Sequence, residues 1–335
     1  MTPKIAFFDA KPYDSISFDR INKDFGFEIC YLEPQLDKEN AALAKGADVV
    51  CAFVNATVCA ETINILADNG VHLIALRCAG FNNVDLHAAA KRNIQVVRVP
   101  AYSPYAVAEH ALTLMMTLNR NTHKAYARTR NNDFALNGLL GFDVHGKTVG
   151  IVGTGKIAKI FIKTLCAMGA HVLAFDIYPD NEFAEKYEVT YTSMDEIFAK
   201  SDIISLHCPL TKETEYIINR DSIAKMKDGV MIINTGRGKL IDTEALIEGL
   251  KSGKIGSAGL DVYEREEKYF FDDWSECIVE DDTLARLLSF NNVLVTAHQA
   301  FFTKEALANI AQTTLQNIRD FADGNVMVNE VSAHN

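Results

Sequence analysis

The segment Lys147–Asp176, KTVGIVGTGKIAKIFIKTLCAMGAHVLAFD, decides how this chain folds. Its opening TVGIV is an apolar run of strand length. Gly153, Gly155 and Ala158 follow in the pattern G-x-G-x-x-A, and an apolar-periodic helix begins there. The next strand, HVLAFD, ends on Asp176, about 20 residues after the glycines, as in a dinucleotide-binding βαβ unit. A glycine-rich turn alone is a weak signal, but here the strand precedes it and the helix follows. Gly153 permits the tight turn, Gly155 lets the backbone approach a pyrophosphate, and Ala158 is small enough for the helix to pack on the strand. The helix N-terminus then offers N–H groups to the phosphates. Asp176 is placed to accept hydrogen bonds from the adenosine ribose hydroxyls, and Ile177, Tyr178 and Pro179 after it include no arginine to hold a 2′-phosphate. NAD is therefore expected rather than NADP.

Working outward, short apolar runs of strand length lie on both sides of this unit with helix-like stretches between them. KIAFFD, FEICYL, ADVVCAF, HLIAL and IQVVRV come before it; DIISLH, GVMIIN, IGSAGLD and NVLVTA come after. Strands alternating with helices imply parallel βαβ units and doubly wound sheets, here in two α/β domains. Between the two series, a helix is expected from Pro104 to about Asn121. Its centre, AEHALTLMMTL, is apolar nearly all round, so it should be buried between domains or in a subunit interface. Arg128–Gly146 reads as a polar connection, and the stretch after His298 as a helix able to cross back to the first domain.

Composition narrows the function. The 335 residues carry 44 acids and 33 bases, a net charge of −11, which argues against nucleic-acid binding. No apolar run approaches the roughly 20 residues of a membrane span. The start, MTPKIAFFDA, has no long apolar region with a cleavage site, so a cytoplasmic location is expected. The seven scattered cysteines form no C-x-x-C pair; they are read as reduced and mostly buried, and no metal site is expected. The acidity is local: Glu264–Asp282, EREEKYFFDDWSECIVEDD, holds nine acids and two bases and so supplies seven of the eleven net charges. Apart from Glu266, those acids read as a solvated loop or a contact with another subunit.

Three ionisable residues fall at the carboxyl ends of expected strands, where α/β sheets place ligands: Arg237, Glu266 and His298. Singly, none is decisive. The segments MKDGVMIINTGRGKLID and TAHQAFFT, together with LRCAGFNNVDL, RVPAYSPYAVAEHALTLMMTLNR, VGIVGTGKIAKI and SLHCPLTKET, resemble the D-isomer-specific 2-hydroxyacid dehydrogenases over nearly the whole chain. Within that family the match is nearest to the NAD-dependent fermentative D-lactate dehydrogenases of bacteria. The resemblance implies a Rossmann NAD domain, 102–298, inserted in a flavodoxin-like substrate domain, 1–101 plus 299–335, with hinge closure near Tyr102 and His298.

It also assigns roles. His298 would give a proton to the carbonyl oxygen of a 2-keto acid, Glu266 would fix the imidazole and favour its charged form, and Arg237 would take the substrate carboxylate bidentately. The backbone at Cys78, Ala79 and Gly80 would cradle that carboxylate, and Tyr102 and Phe301 would wall the pocket. Lys156, Ile157, Cys208, Pro209, Thr214, Thr235, Gly236 and Asp261 would line the cofactor beside Gly153, Gly155 and Asp176. His110 and His207 read as structural. The implied reaction is NADH-dependent reduction of pyruvate to D-lactate by a homo-oligomer, dimer or tetramer. Two alternatives stay open: the same triad acting on a larger 2-keto acid such as phenylpyruvate, hydroxypyruvate or 2-ketoisocaproate, and an NAD-sensing binding protein.

Overall fold

The computed structural model describes residues 2–332, and the chain divides into two compact units, 1–103 with 301–335, and 104–300. The second is thus inserted in the first along the sequence, with boundaries two residues beyond those expected.

In the first unit, β1 (Lys4–Phe7), β2 (Glu28–Tyr31), β3 (Val49–Ala52), β4 (Leu73–Leu76) and β5 (Gln95–Val97) form one parallel sheet in the order β2-β1-β3-β4-β5. This is the flavodoxin-like order, which reverses between β1 and β3. Every residue of β3 and β4 is buried, as strands covered on both faces require, which is why VVCA and LIAL read as unbroken apolar runs. The C-terminal helix Lys304–Ala322 packs on β4 and on the helix Pro12–Asn22. Ser17 Oγ donates to Leu307 O at 3.1 Å and Asn317 Nδ2 to Arg98 O at 3.0 Å, so the tail completes this unit.

Just after β4, Arg77 is 1% exposed. Its guanidinium lies between the rings of Phe7 and Phe53, 4.5 and 4.7 Å from their centroids. It donates to Phe8 O (3.0 Å) and Asp9 O (2.7 Å) and stands 3.5 Å from Asp14. Burial raises the Asp14 pKa and Arg77 opposes that rise.

The second unit holds a seven-stranded parallel sheet: β6 (Thr148–Val152), β7 (His171–Phe175), β8 (Thr190–Tyr191), β9 (Ile203–Leu206), β10 (Val230–Asn234), β11 (Ile255–Leu260) and β12 (Val293–Val295). The order is β12-β11-β10-β9-β6-β7-β8, the Rossmann pattern with its switch between β6 and β9. β8, two residues long, has no counterpart among the expected strands.

Three expectations need correction. The helix Pro104–Arg120 is not apolar all round: it buries Ala106, Val107, Ala108, Ala111, Leu114, Met115 and Leu118 but exposes Tyr105, Glu109 and Thr113. It packs on the helix Lys156–Ala167, β10 and β11 inside its own unit, so its apolar stripe serves that core. The connection after it begins later than expected, because Thr122–Arg130 is helical; the irregular stretch beyond exposes Phe134 (73%), Leu136 (81%) and Leu140 (93%). All seven cysteines are free, but only Cys51 and Cys78 are buried, while Cys30 and Cys277 are exposed. No helix of the described residues is long and apolar enough to cross a membrane.

Candidate active site

The glycine-rich turn links β6 to the helix Lys156–Ala167. Gly153 has φ +88°, and a Cβ there would stand 2.6 Å from the Cys208 amide nitrogen, so only glycine lets the ends of β6 and β9 meet. Gly155 caps the helix without a side-chain bond, and a Cβ on it would meet nothing within 4 Å. The space above the first-turn amides is therefore open, and it fits a pyrophosphate. Lys156 is exposed and Ile157 half-buried in that turn.

Asp176 ends the next strand. Its Oδ2 accepts from Thr154 N (2.5 Å) and Thr154 Oγ1 (3.0 Å), and its Oδ1 from Tyr178 N (2.8 Å). Partial burial works to raise its pKa, but these bonds prevail and hold the carboxyl below its ordinary value. An ionised carboxylate offers about four acceptor sites, so one oriented site remains for a ribose hydroxyl. Sequence reasoning missed the support: the Tyr191 hydroxyl donates to Thr154 Oγ1 at 2.9 Å. The β9 end carries half-buried Cys208, whose thiol burial pushes up to about 11, and exposed Pro209, whose carbonyl accepts from Thr214 Oγ1 at 2.7 Å. Cys208 thus stays a neutral, apolar surface. The Thr235 hydroxyl is buried without a hydrogen-bond partner among the described residues.

Beyond β10 the fully buried Asn234 clips the turn that carries Arg237, accepting from Gly236 N (3.0 Å) and donating to Arg237 O (2.9 Å). The Arg237 guanidinium, half-buried, donates to Gly236 O at 2.8 Å and has no carboxylate within 4.0 Å among the described residues. At Gly238 a Cβ would fall 2.1 Å from the Tyr263 carbonyl carbon. That close approach sets the Arg237 turn against the Tyr263–Glu264 backbone.

Glu266 opens a 3₁₀ turn, Glu266–Lys268. Its Oε2 accepts from Tyr263 N at 2.8 Å, and its Oε1 lies 2.7 Å from His298 Nδ1. A carboxylate on Nδ1 requires the hydrogen there and leaves Nε2 as the outward nitrogen. His298 is held at φ +51°, in the left-handed region, with its amide donating to Asp261 O (2.8 Å) and Thr296 O (2.7 Å). Such backbone persists only where its surroundings impose it.

Asp261 is what imposes it. Its carboxylate, wholly buried, accepts from Thr296 Oγ1 (2.6 Å), Gln299 N (2.9 Å) and Ala300 N (2.9 Å), with His110 Nε2 3.3 Å away. Burial alone would raise its pKa; these partners outweigh burial and lower it. The side chain expected along the cofactor is thus committed to clamping the loop that carries His298, and His110 serves that clamp through a 2.9 Å contact with Thr296 Oγ1. His207 lies 2.9 Å from Ser205 Oγ.

In the other unit, the carbonyls of Cys78, Ala79 and Gly80 are taken by Val99 N (3.1 Å), Arg98 Nη1 (2.7 Å) and Cys78 Sγ (3.3 Å). Tyr102 and Phe301 meet edge to face at 6.2 Å, and Phe301 also faces Phe53 at 6.0 Å. Asn309 Nδ2 donates to Tyr102 O at 2.6 Å.

The chain is similar to several known proteins. Residues 112–300 match the family described as D-isomer specific 2-hydroxyacid dehydrogenase, NAD binding domain. The chain is 53% identical to the 2-hydroxyacid dehydrogenase homolog 1 of Schizosaccharomyces pombe over 323 residues, covering 96% of this chain and 97% of that one. It is 49% identical to the D-lactate dehydrogenase of Escherichia coli over 328 residues, covering 98% and 99%. Its fold is similar to a solved structure described as the pyruvate reductase of Chlamydomonas reinhardtii, with a TM-score of 0.93 at 45% identity, covering 98% of each chain.

Proposed function

The chain belongs to the D-isomer-specific 2-hydroxyacid dehydrogenases, and on that footing we propose that it is a D-lactate dehydrogenase reducing pyruvate to D-lactate with NADH. The observation that carries the reading is the pair His298–Glu266 at 2.7 Å in the same unit as a half-buried Arg237 that has no carboxylate partner among the described residues. Two of the similar proteins are named D-lactate dehydrogenase and pyruvate reductase, which favours pyruvate over a bulkier acid.

NAD, for which the family's domain is named, fits the open cradle at Gly155 and the oriented carboxylate of Asp176. When bound it supplies the hydride. Lys156, Ile157, Cys208, Pro209, Thr214, Thr235 and Gly236 are its proposed lining, with Asp261 acting through the His298 loop. Arg237 presents a planar fork of donors that matches a carboxylate and draws charge from the adjacent carbonyl. His298 Nε2 gives the proton to the carbonyl oxygen, while Glu266 holds Nδ1 and balances the charge of the ring. The Cys78–Gly80 amides, Tyr102 and Phe301 are proposed substrate ligands, which makes the unit 1–103 with 301–335 the proposed substrate domain and 104–300 the proposed NAD domain.

The exposed Phe134, Leu136 and Leu140 support a homo-oligomer, since side chains of that size are costly to leave in water. A cytoplasmic location fits an enzyme drawing on NADH.

His298→Ala tests the assignment. It is expected to bind NADH as the wild type does while kcat falls by a factor of roughly 10² to 10⁴. Full turnover in that variant would remove His298 from the chemistry.

A further inference from the structure

The segment Tyr269–Trp274, YFFDDW, lies inside the acidic stretch yet is anchored to the core. Tyr269 and Phe270 are buried, and Trp274 meets Tyr269 edge to face at 5.3 Å. Its ends are tied as well: Lys268 Nζ pairs with Glu280 at 2.6 Å, and the Tyr263 hydroxyl donates to Asp281 at 2.9 Å. Between these anchors Phe271 takes φ +75°, a conformation rare for a bulky aromatic. A residue is held there only when its neighbours fix it, and such positions cluster where function needs the geometry. The Phe271 ring packs on the core of this unit and stands 5.8 Å from the His298 ring, tilted by 35°.

Glu266 fixes one atom of the imidazole. The Nδ1 bond is one restraint on a side chain with two torsions, so coupled rotation about χ1 and χ2 can keep that bond while tilting the ring and shifting Nε2 away from any carbonyl it is to protonate. A flat side chain beside the imidazole blocks that rotation. Building on the dehydrogenase reading, we propose that Phe271 is a positioning residue for proton transfer. It fixes the plane of the His298 ring while Glu266 fixes its hydrogen-bonded nitrogen. The strained backbone at Phe271 and the left-handed backbone at His298 then belong to one device that aims Nε2.

The test compares Phe271→Leu, which keeps apolar bulk but has no flat face, with Phe271→Tyr, which keeps the ring. In NADH-dependent pyruvate reduction, Phe271→Leu is expected to lower kcat by about tenfold with KM for pyruvate changed less than about twofold, because aim affects the transition state more than binding. The deuterium isotope effect with 4-deuterated NADH should rise as chemistry becomes slower. Phe271→Tyr should stay within about twofold of wild type in kcat. As a readout without turnover, the ring-proton NMR signals of His298, assigned through His298→Gln, should carry a ring-current displacement in the wild type and in Phe271→Tyr that vanishes in Phe271→Leu. Wild-type kcat and signals in Phe271→Leu, a loss confined to KM, or a Phe271→Tyr variant as impaired as Phe271→Leu would each overturn the proposal. A wild-type protein inactive toward every 2-keto acid would instead overturn the enzyme reading. In that case the NMR signals alone still report whether Phe271 orders the ring.

Discussion

Replacing Asp261 by asparagine tests the clamp behind the His298 loop. The carboxylate takes Thr296 Oγ1 and Gln299 N on Oδ1 and Ala300 N on Oδ2. An amide can keep its oxygen on one side only, so its NH2 group must face a donor on the other. The loss is one hydrogen bond to a charged group, about 1.5–3 kcal/mol, plus the cost of a buried donor left unpaired, about 1–3 kcal/mol, so about 2.5–6 kcal/mol in all. Trp274, the chain's one tryptophan, lies in the 104–300 unit, so its fluorescence during urea unfolding follows that unit. The pH dependence has a definite sign. The folded-state pKa of Asp261 is depressed, so its stabilisation is present above the unfolded value near 3.9 and is lost as pH falls through the folded value. The gap between wild type and Asp261→Asn should therefore be full at neutral pH and shrink in acid. Because Thr296, Gln299 and Ala300 flank His298, kcat should fall with stability. A gap below about 1 kcal/mol at pH 7, or one that widens in acid, would refute the reasoning.

Two further outcomes follow from geometry and charge. Asp176→Ser removes the oriented ribose acceptor, so NADH affinity should fall by roughly tenfold, the size of one charge-assisted bond, while NADPH, relieved of the repulsion, loses less; parallel fluorescence titrations with the two nucleotides read this. Burial pushes the His207 pKa down to about 4, so the folded protein keeps this ring neutral while the unfolded chain protonates it below about 6.5. Stability from this group is full above that pH and declines by at most about 3 kcal/mol on acidification to about 4; urea midpoints across that range should fall less in His207→Gln.

Both sheets were legible because parallel strands covered on two faces must read as continuous apolar runs, and VVCA, LIAL and TVGIV do. Thr190–Tyr191 was not, since a two-residue edge strand has no room for a period. Arg237, Glu266 and His298 could be found as ionisable groups beyond strand ends. What holds them could not: Asp261 reaches Ala300 across 39 positions, and Tyr191 reaches Thr154 across 37. Asn234 is a polar residue at a strand end until its two bonds are seen. Arg77 follows HLIAL with nothing in its type to announce that it is buried between two rings. The acidic stretch is a solvated loop only in part. Glu267, Asp272, Asp273, Glu276, Glu280 and Asp282 are exposed, as a solvated loop requires, but Glu266 serves His298 and Asp281 caps the helix Asp282–Leu288 through Thr283 N and Leu284 N. The aromatic residues among those acids fix the loop. Positive φ at Phe271 and His298 leaves no trace in composition, because a phenylalanine rarely adopts it and a histidine does so in only a minority of cases.

The central claim is tested most directly by NADH oxidation with pyruvate and with phenylpyruvate, with chiral separation of the product. The account predicts kcat/KM for pyruvate at least about tenfold above that for phenylpyruvate and D-lactate as the sole product enantiomer. A preference for phenylpyruvate, or L-lactate in the product, would contradict it.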